Sequence, residues 1–492
     1  MLTIEPYPVS MPPTTPLVLL CDEDGTVFYP HPLLEEATQR ARGVSGCCGK
    51  SGQTLVLLQE TEKGPMTTVI VGVGKSAEID SDRIRTALGD AVHACMRHRM
   101  SRVAVAVPEC RSSAIPLLEL VQAAMEGACL GNYRFTRYKE AEHPPLEEVR
   151  FWVTDGIAQQ QPRLAFEVEI RCQGTCLARD WVNTPSNDKK PAFLADRFVQ
   201  EARSAGIETT VLDETTLRQL QFNTLLAVSA GSNEPPRLVL LEYGSAFGEP
   251  VTALIGKGIT FDSGGLNLKS GESMSDMKID MAGAAAVVAT MIAAARLKLP
   301  LHLVGAVPLV ENMPSGTSTR PGDIVRSLSG KTVEINNTDA EGRLILADTL
   351  SYVQTTYHPN TCIDIATLTG ACMVGLGERI AGLFGTDEEL LKQLTESGRR
   401  TGERCWPMPM PKDYREFLKT ETADISNMSS SKWGGAITAA LFLSEFVQQG
   451  TRWAHLDIAG PAHTQKATSI CPKGGTGFGV RLLLDYLQGL VG

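Results

Sequence analysis

Apolar positions along this chain fall into two repeating patterns. Short continuous apolar runs occur at 17–20, 54–58, 67–73 and 103–107, with the length and branched side chains of buried strands. Between them, at 84–96 and 115–130, apolar residues recur at helical spacing. These elements predict an α/β domain over residues 1–164. His143-Pro144-Pro145 reads as a turn and Gln159-Gln160-Gln161-Pro162 as a loop. The stretch 165–181 reads as one helix, closed by Asn183-Thr184-Pro185, because the residue before a proline avoids helical backbone. We take 165–184 as a linking helix. From 185 to 492, apolar runs at 237–241, 251–255, 301–308, 362–366 and 454–458 alternate with helical stretches. Such alternation predicts a doubly wound, mostly parallel sheet, which binds ligands beyond the carboxyl ends of its strands. Lys257, Thr367 and Gly460 all follow such ends.

The chemistry-bearing residues lie in two blocks. Asn336 to Leu344 places Asp339, Glu341 and Arg343 at alternate positions. In extended backbone these three would converge on one side. Leu346, Leu350 and Val353 then mark a helix, so the acidic pair is expected in a loop entering a helix N-terminus. Taken alone, an acidic turn with an N-cap accounts for it. The second block follows the run at 251–255 and carries Lys257, Asp262 and Lys269 among glycines, then Asp280 at the start of an Ala-rich helix over 282–295, where taken alone it reads as the N-cap. Four carboxylates in one apolar core repel each other and are costly to bury. Divalent cations offset that cost, and four carboxylates can hold two ions about 3.5–4 Å apart.

Both blocks resemble the leucyl aminopeptidase family, the two-metal cytosol aminopeptidases. The resemblance rests on Asn337-Thr338-Asp339-Ala340-Glu341-Gly342-Arg343-Leu344 and on the segment from Ile255 to Gly265. It extends from Leu177 to the C-terminus through Ala366-Thr367-Leu368-Thr369-Gly370, Ser430-Ser431-Lys432-Trp433-Gly434-Gly435 and Lys473-Gly474-Gly475-Thr476-Gly477. The first ~165 residues carry no comparable motif, and there the assignment rests on length and layout. The resemblance implies metal ligands at Lys257, Asp262, Asp280, Asp339 and Glu341, with Asp262 and Glu341 shared by two ions. It implies catalytic side chains at Lys269 and Arg343 and a substrate pocket near Met277, Thr367, Gly370 and Ala462. The ions it implies are zinc, with one site exchangeable with manganese or magnesium, and bicarbonate is implied near Arg343. Removal of Leu and other apolar N-terminal residues from peptides with a free N-terminus follows, using a hydroxide bridging the metals. The family also implies a homohexamer.

Composition narrows the setting. A net charge of −10 argues against nucleic acid as the main partner. The first residues lack a basic segment followed by an apolar run, so no secretory signal is expected. No stretch reaches the ~20 apolar residues of a membrane span. Twelve cysteines lack a pairing framework. Cys172 and Cys176 share a helix face and Cys47 adjoins Cys48, and we read all as reduced thiols of a cytoplasmic protein. Neither H-E-x-x-H nor G-x-S-x-G occurs. Ser329-Gly330-Lys331-Thr332 is not a phosphate loop, because Val325 stands at its first glycine position. His302 and His455 fall in strands and are expected as hydrogen-bonded core histidines. A phosphoesterase with Lys257 and Lys269 on phosphate, or a metal-binding scaffold without turnover, are the competing readings.

Overall fold

The computed structural model describes residues 2–491 other than 9–14, 25–26, 30–33, 35–37, 39–48, 62–63, 111–114 and 161–162. The chain forms two compact units, Met1–Gln173 with Gln465–Lys473, and Gly174–Thr464 with Gly474–Gly492. Both are α/β. Cys47 and Cys48 lie outside the described residues.

The first unit is built on a six-stranded sheet. Its order is Leu2–Pro6, Glu148–Val153, Arg102–Ala106, Leu17–Asp22, Gly64–Gly74, Thr54–Thr61. All neighbours run parallel except the closing hairpin of Thr54–Thr61 with Gly64–Gly74. Leu17–Asp22 is buried at every position, which is why it reads as an unbroken apolar run. Leu2–Pro6 and Glu148–Val153 are not among the expected strands. Leu2–Pro6 mixes apolar and polar residues over five positions, and Glu148–Val153 ends in an apolar run of only three, so neither gives a decisive pattern. Gln159 and Gln160 end a short helix, Asp155–Gln160, rather than lying in a loop. The segment Gln465–Lys473, which the apolar pattern groups with the catalytic part, belongs to this unit. It packs on the helix Ser81–Arg97 at Gly89, where a β-carbon would stand 2.3 Å from the Ser469 carbonyl oxygen.

The second unit carries a nine-stranded sheet. Its order is Cys405–Pro407, Ala381–Gly385, Arg452–Asp457, Thr361–Ala366, Val251–Gly256, His302–Asn312, Arg237–Tyr243, Glu208–Leu212, with Gly258–Asp262 also paired to His302–Asn312. The central strands are parallel, as strand–helix alternation demands. One feature positions the site. The long strand His302–Asn312 pairs first with Val251–Gly256 and then with Gly258–Asp262, so these two are successive pieces beside one partner. Lys257 occupies the break, its N–H turned to the carbonyl of Ile365 on the other neighbour. A register shift between Ile259 and Phe261 bends the second piece.

The helix Ala282–Leu297 is buried at every position except Arg296. Its small residues suit a crowded interior. The stretch Gly271–Leu297 is long and apolar enough to cross a membrane by length and composition, contrary to the expectation of no such stretch. It is interrupted by turns, and 89% of its most apolar window is buried inside the protein. Lys331 confirms the rejection of a phosphate loop, since its ammonium is tied to the Glu445 carboxylate at 2.6 Å.

Candidate functional site

The parallel strands end where the two acidic blocks meet. Lys257 Nζ lies 2.8 Å from Asp280 Oδ1, 2.8 Å from Glu341 Oε1 and 2.8 Å from the Thr367 carbonyl oxygen. Lys269 Nζ lies 2.9 Å from Asp262 Oδ2 and also pairs with Asp339 Oδ1. Asp262, Asp280 and Glu341 each present an oxygen within 4.8 Å of the other two. Lys257 and these three carboxylates are buried, whereas the Asp339 side chain is 33% exposed.

Each residue is held by its local backbone. Asp262 ends its strand, and its Oδ1 accepts from the Gly264 N–H and from Asn312 Nδ2. Asp280 does not cap the Ala-rich helix as expected. Met281 takes the N-cap position, and the Asp280 carboxylate turns to Lys257 and to the Thr367 hydroxyl at 2.7 Å. Glu341 is the N-cap residue of the helix Gly342–Tyr357, already in helical backbone. Arg343 therefore lies inside the helix and not on an extended face with Asp339 and Glu341. Its Nη1 donates to the Asn427 carbonyl oxygen at 2.8 Å. Gly342 leaves room for the lysine: a β-carbon there would stand 2.7–2.9 Å from Lys257 Cε, Cδ and Nζ.

Burial and like charge shape the protonation of this cluster. Asp262 is pushed up to about 6 by burial and by Glu341, against the pull of both lysines. Asp280 is pushed up to about 8 by burial, opposed by Lys257. Burial, with the Glu341 charge, also raises Asp339. Burial would raise Glu341 too, but Lys257 and Lys269 hold it below its ordinary value. Both lysines are held above theirs, because the surrounding carboxylates outweigh burial. Burial lowers Arg343 to about 10.

The donor set suits divalent ions. Four carboxylates face two ammonium groups, so the ionised cluster carries two negative charges in excess. Asp280 Oδ2 is buried without a hydrogen-bond partner, an oxygen with unused coordinating capacity. Carboxylate oxygens with one amine nitrogen match hard or borderline cations.

Among the expected pocket residues, Thr367 joins the cluster through both its hydroxyl and its carbonyl. Met277 opens the turn Met277–Ile279 that leads into Asp280 and is half-buried. Gly370 is exposed at the first turn of Gly370–Leu376, and Ala462 is buried. Three residues escape the sequence reading. Asn312 joins the blocks, its Nδ2 donating to Asp262 Oδ1 and to the Thr338 carbonyl. Asn427 lies beneath the Asp339–Arg343 loop. Lys189, fully buried, gives its ammonium to the carbonyls of Trp181, Val182 and Lys278, and burial holds its pKa well below the ordinary value. None belongs to a local pattern, because each is defined by partners distant in sequence.

A parallel α/β sheet with a carboxylate–lysine cluster at its strand ends defines a metallohydrolase architecture. Residues 176–484 match the cytosol aminopeptidase family, catalytic domain, and residues 38–142 match that family's N-terminal domain. A probable cytosol aminopeptidase of Syntrophotalea carbinolica is 43% identical over 470 residues, 93% of this chain and 94% of that one. One from Geobacter sp. strain M21 is 42% identical, covering 96% and 97%. Among solved structures, the bottromycin maturation enzyme BotP in complex with Mn superposes with a TM-score of 0.86 at 36% identity, over 97% of this chain and 100% of that one. The chain belongs to the cytosol aminopeptidase family. It is a metal-dependent hydrolase of the aminopeptidase class, acting on peptides.

Proposed function

We propose that this chain removes Leu and other apolar residues from the N-termini of peptides with two divalent ions at the strand-end cluster. The carrying observation is the convergence of Asp262, Asp280 and Glu341 on one another, with Lys257 paired to Asp280 and Glu341 and Asp280 Oδ2 left without a partner. Lys257, Asp262, Asp280, Asp339 and Glu341 would hold the ions, with Asp262 and Glu341 shared. Bound there, the ions supply activation of water and polarisation of the peptide carbonyl. Zinc, with one site open to manganese or magnesium, fits the donors, and the relative BotP was solved with Mn. To serve as a ligand Lys257 must lose its proton, so cations must displace the ammonium now seated among the carboxylates.

The remaining groups act on the substrate. Lys269, paired with Asp262 and Asp339, would donate to the carbonyl oxygen as negative charge develops. Arg343 is buried with its Nε unpartnered, a donor suited to a small anion such as bicarbonate. Met277, Thr367, Gly370 and Ala462, small or apolar, would line the pocket for the N-terminal side chain. The family resemblance also leads us to propose a homohexamer. We place the protein in the cytoplasm.

Aminoacyl arylamides with a free or a blocked amino group test the reading. Leu and Met arylamides should be cleaved only with a free amine and only with metal, and far faster than Asp or Glu arylamides. Equal cleavage of blocked substrate would exclude an aminopeptidase mechanism.

A further inference from the structure

The loop that carries Asp339, Glu341 and Arg343 is tied through Thr338 to Asn267, Gly264 and Asn312. Its remaining backbone groups are gathered by a single amide, Asn427. Asn427 is fully buried. Its Oδ1 accepts from the backbone N–H of Asn336 at 2.9 Å and of Asn337 at 3.2 Å. Its Nδ2 donates to the carbonyl of Asn337 at 2.7 Å and of Ala340 at 3.3 Å. Its own carbonyl accepts Arg343 Nη1, and its N–H donates to the Glu334 carbonyl at 2.9 Å. One residue thus grips the loop before Asp339, between Asp339 and Glu341, and after Glu341.

The geometry points to Asn427 as the positioning residue of the catalytic loop, setting the spacing of Asp339 and Glu341 and the seat of Arg343. Both ends of the amide are committed, so a side chain lacking either the donor or the acceptor leaves buried backbone groups unpaired. The short strand Ile425–Ser426, paired to Thr332–Ile335, places the amide there. Groups that orient metal ligands from behind typically alter metal affinity or activity by about 10–100-fold when removed. This inference rests on the metal assignment above.

Asn427→Ala, Asn427→Asp and Gln354→Ala test it against the parent. Gln354 is a matched control, a buried amide bonded to the carbonyls of Leu350 and Phe446 and to the Gln448 N–H, away from the loop. Equilibrium dialysis with zinc or manganese gives the binding constants. Arylamide kinetics give kcat and KM, and melting of the chelated proteins gives structural cost. Asn427→Ala should bind the ions about 10–100-fold more weakly and lose kcat more than KM. Asn427→Asp, which keeps the acceptor but loses the donor, should also bind weakly and covers the case in which the alanine variant does not fold. Gln354→Ala should lose melting temperature while binding ions as the parent does. The inference falls if either folded Asn427 variant binds ions as tightly as the parent, or if Gln354→Ala weakens binding equally. A parent that binds no ions would instead sink the metal assignment itself.

Discussion

Two buried charge clusters sit in the two units, and their balances differ. In the first unit, Glu126 is fully buried and accepts Arg85 Nε at 2.6 Å on one oxygen and Arg171 Nη1 at 3.0 Å on the other. Arg85 also reaches Asp82 at 2.6 Å. Two guanidiniums meet two carboxylates, and both Glu126 oxygens are engaged. In the second unit four carboxylates meet two ammonium groups, and one buried oxygen has no partner. With the half-exposed Asp82 included, the charges of the first arrangement balance, and the second is short of positive charge. Burial of charge alone does not mark a functional site; an uncompensated remainder does.

The comparison breaks most sharply through the acidic pair. Asp339→Asn and Glu341→Gln should each bring turnover to background and reduce bound metal, with little change in the melting of the chelated protein. Retention of two ions and near-parental turnover by either variant would show that the excess charge has another purpose. Glu126→Ala should do the converse. Stranding two buried arginines should cost about 3–5 kcal/mol of stability, read by denaturant unfolding, while metal stoichiometry stays at the parental value. Altered stoichiometry would erase the distinction between the clusters.

Within the second cluster the two lysines should separate. Lys269→Ala should lower kcat about 10²–10³-fold, the usual loss for one donor to a developing oxyanion, with the ions still bound. Unchanged kcat would remove Lys269 from the chemistry. Arg343→Ala should cost less than Lys269→Ala, and added bicarbonate should help it less than it helps the parent.

The smallest effect is in pH. Burial pushes Asp262 up to about 6 and Asp280 up to about 8 in the metal-free fold, above the ordinary 3.8. Across that interval the metal-free folded chain holds more protons than the unfolded chain, so its stability declines as pH rises. Glu341, held low, contributes stability that is fully present above its ordinary value of 4.5 and lost as pH falls below it, outside this interval. Ions compete with those protons. The melting gap between metal-loaded and chelated protein should therefore widen from about pH 5 to about pH 8. A constant gap would argue that the carboxylates are already ionised throughout.

Much of the site is legible in the amino-acid sequence. The two long motifs carry Lys257, Asp262, Lys269, Asp339, Glu341 and Arg343 within short stretches, and apolar runs mark the central strands. Local pattern fails where long-range contact decides. Glu341 and Arg343 adopt helical backbone because the helix begins at Gly342, before the alternation ends. Met281 caps the helix assigned to Asp280. Asn427 acts on a loop some ninety residues away, and nothing near it in sequence announces that role.

Gly342 shows how narrow the tolerance around the cluster is. It offers no side-chain donor, acceptor or charge, yet a single methyl group there would meet the Lys257 side chain at 2.7 Å. Its backbone is ordinary helix, so alanine would fit the chain and be the better helix former. The cost would fall on the neighbour, pressing the amine away from Asp280 and Glu341 without altering any ionisable group. A substitution that local propensity favours would thus be the one the chemistry forbids, and the least reactive residue of the motif sets where its most unusual nitrogen can stand.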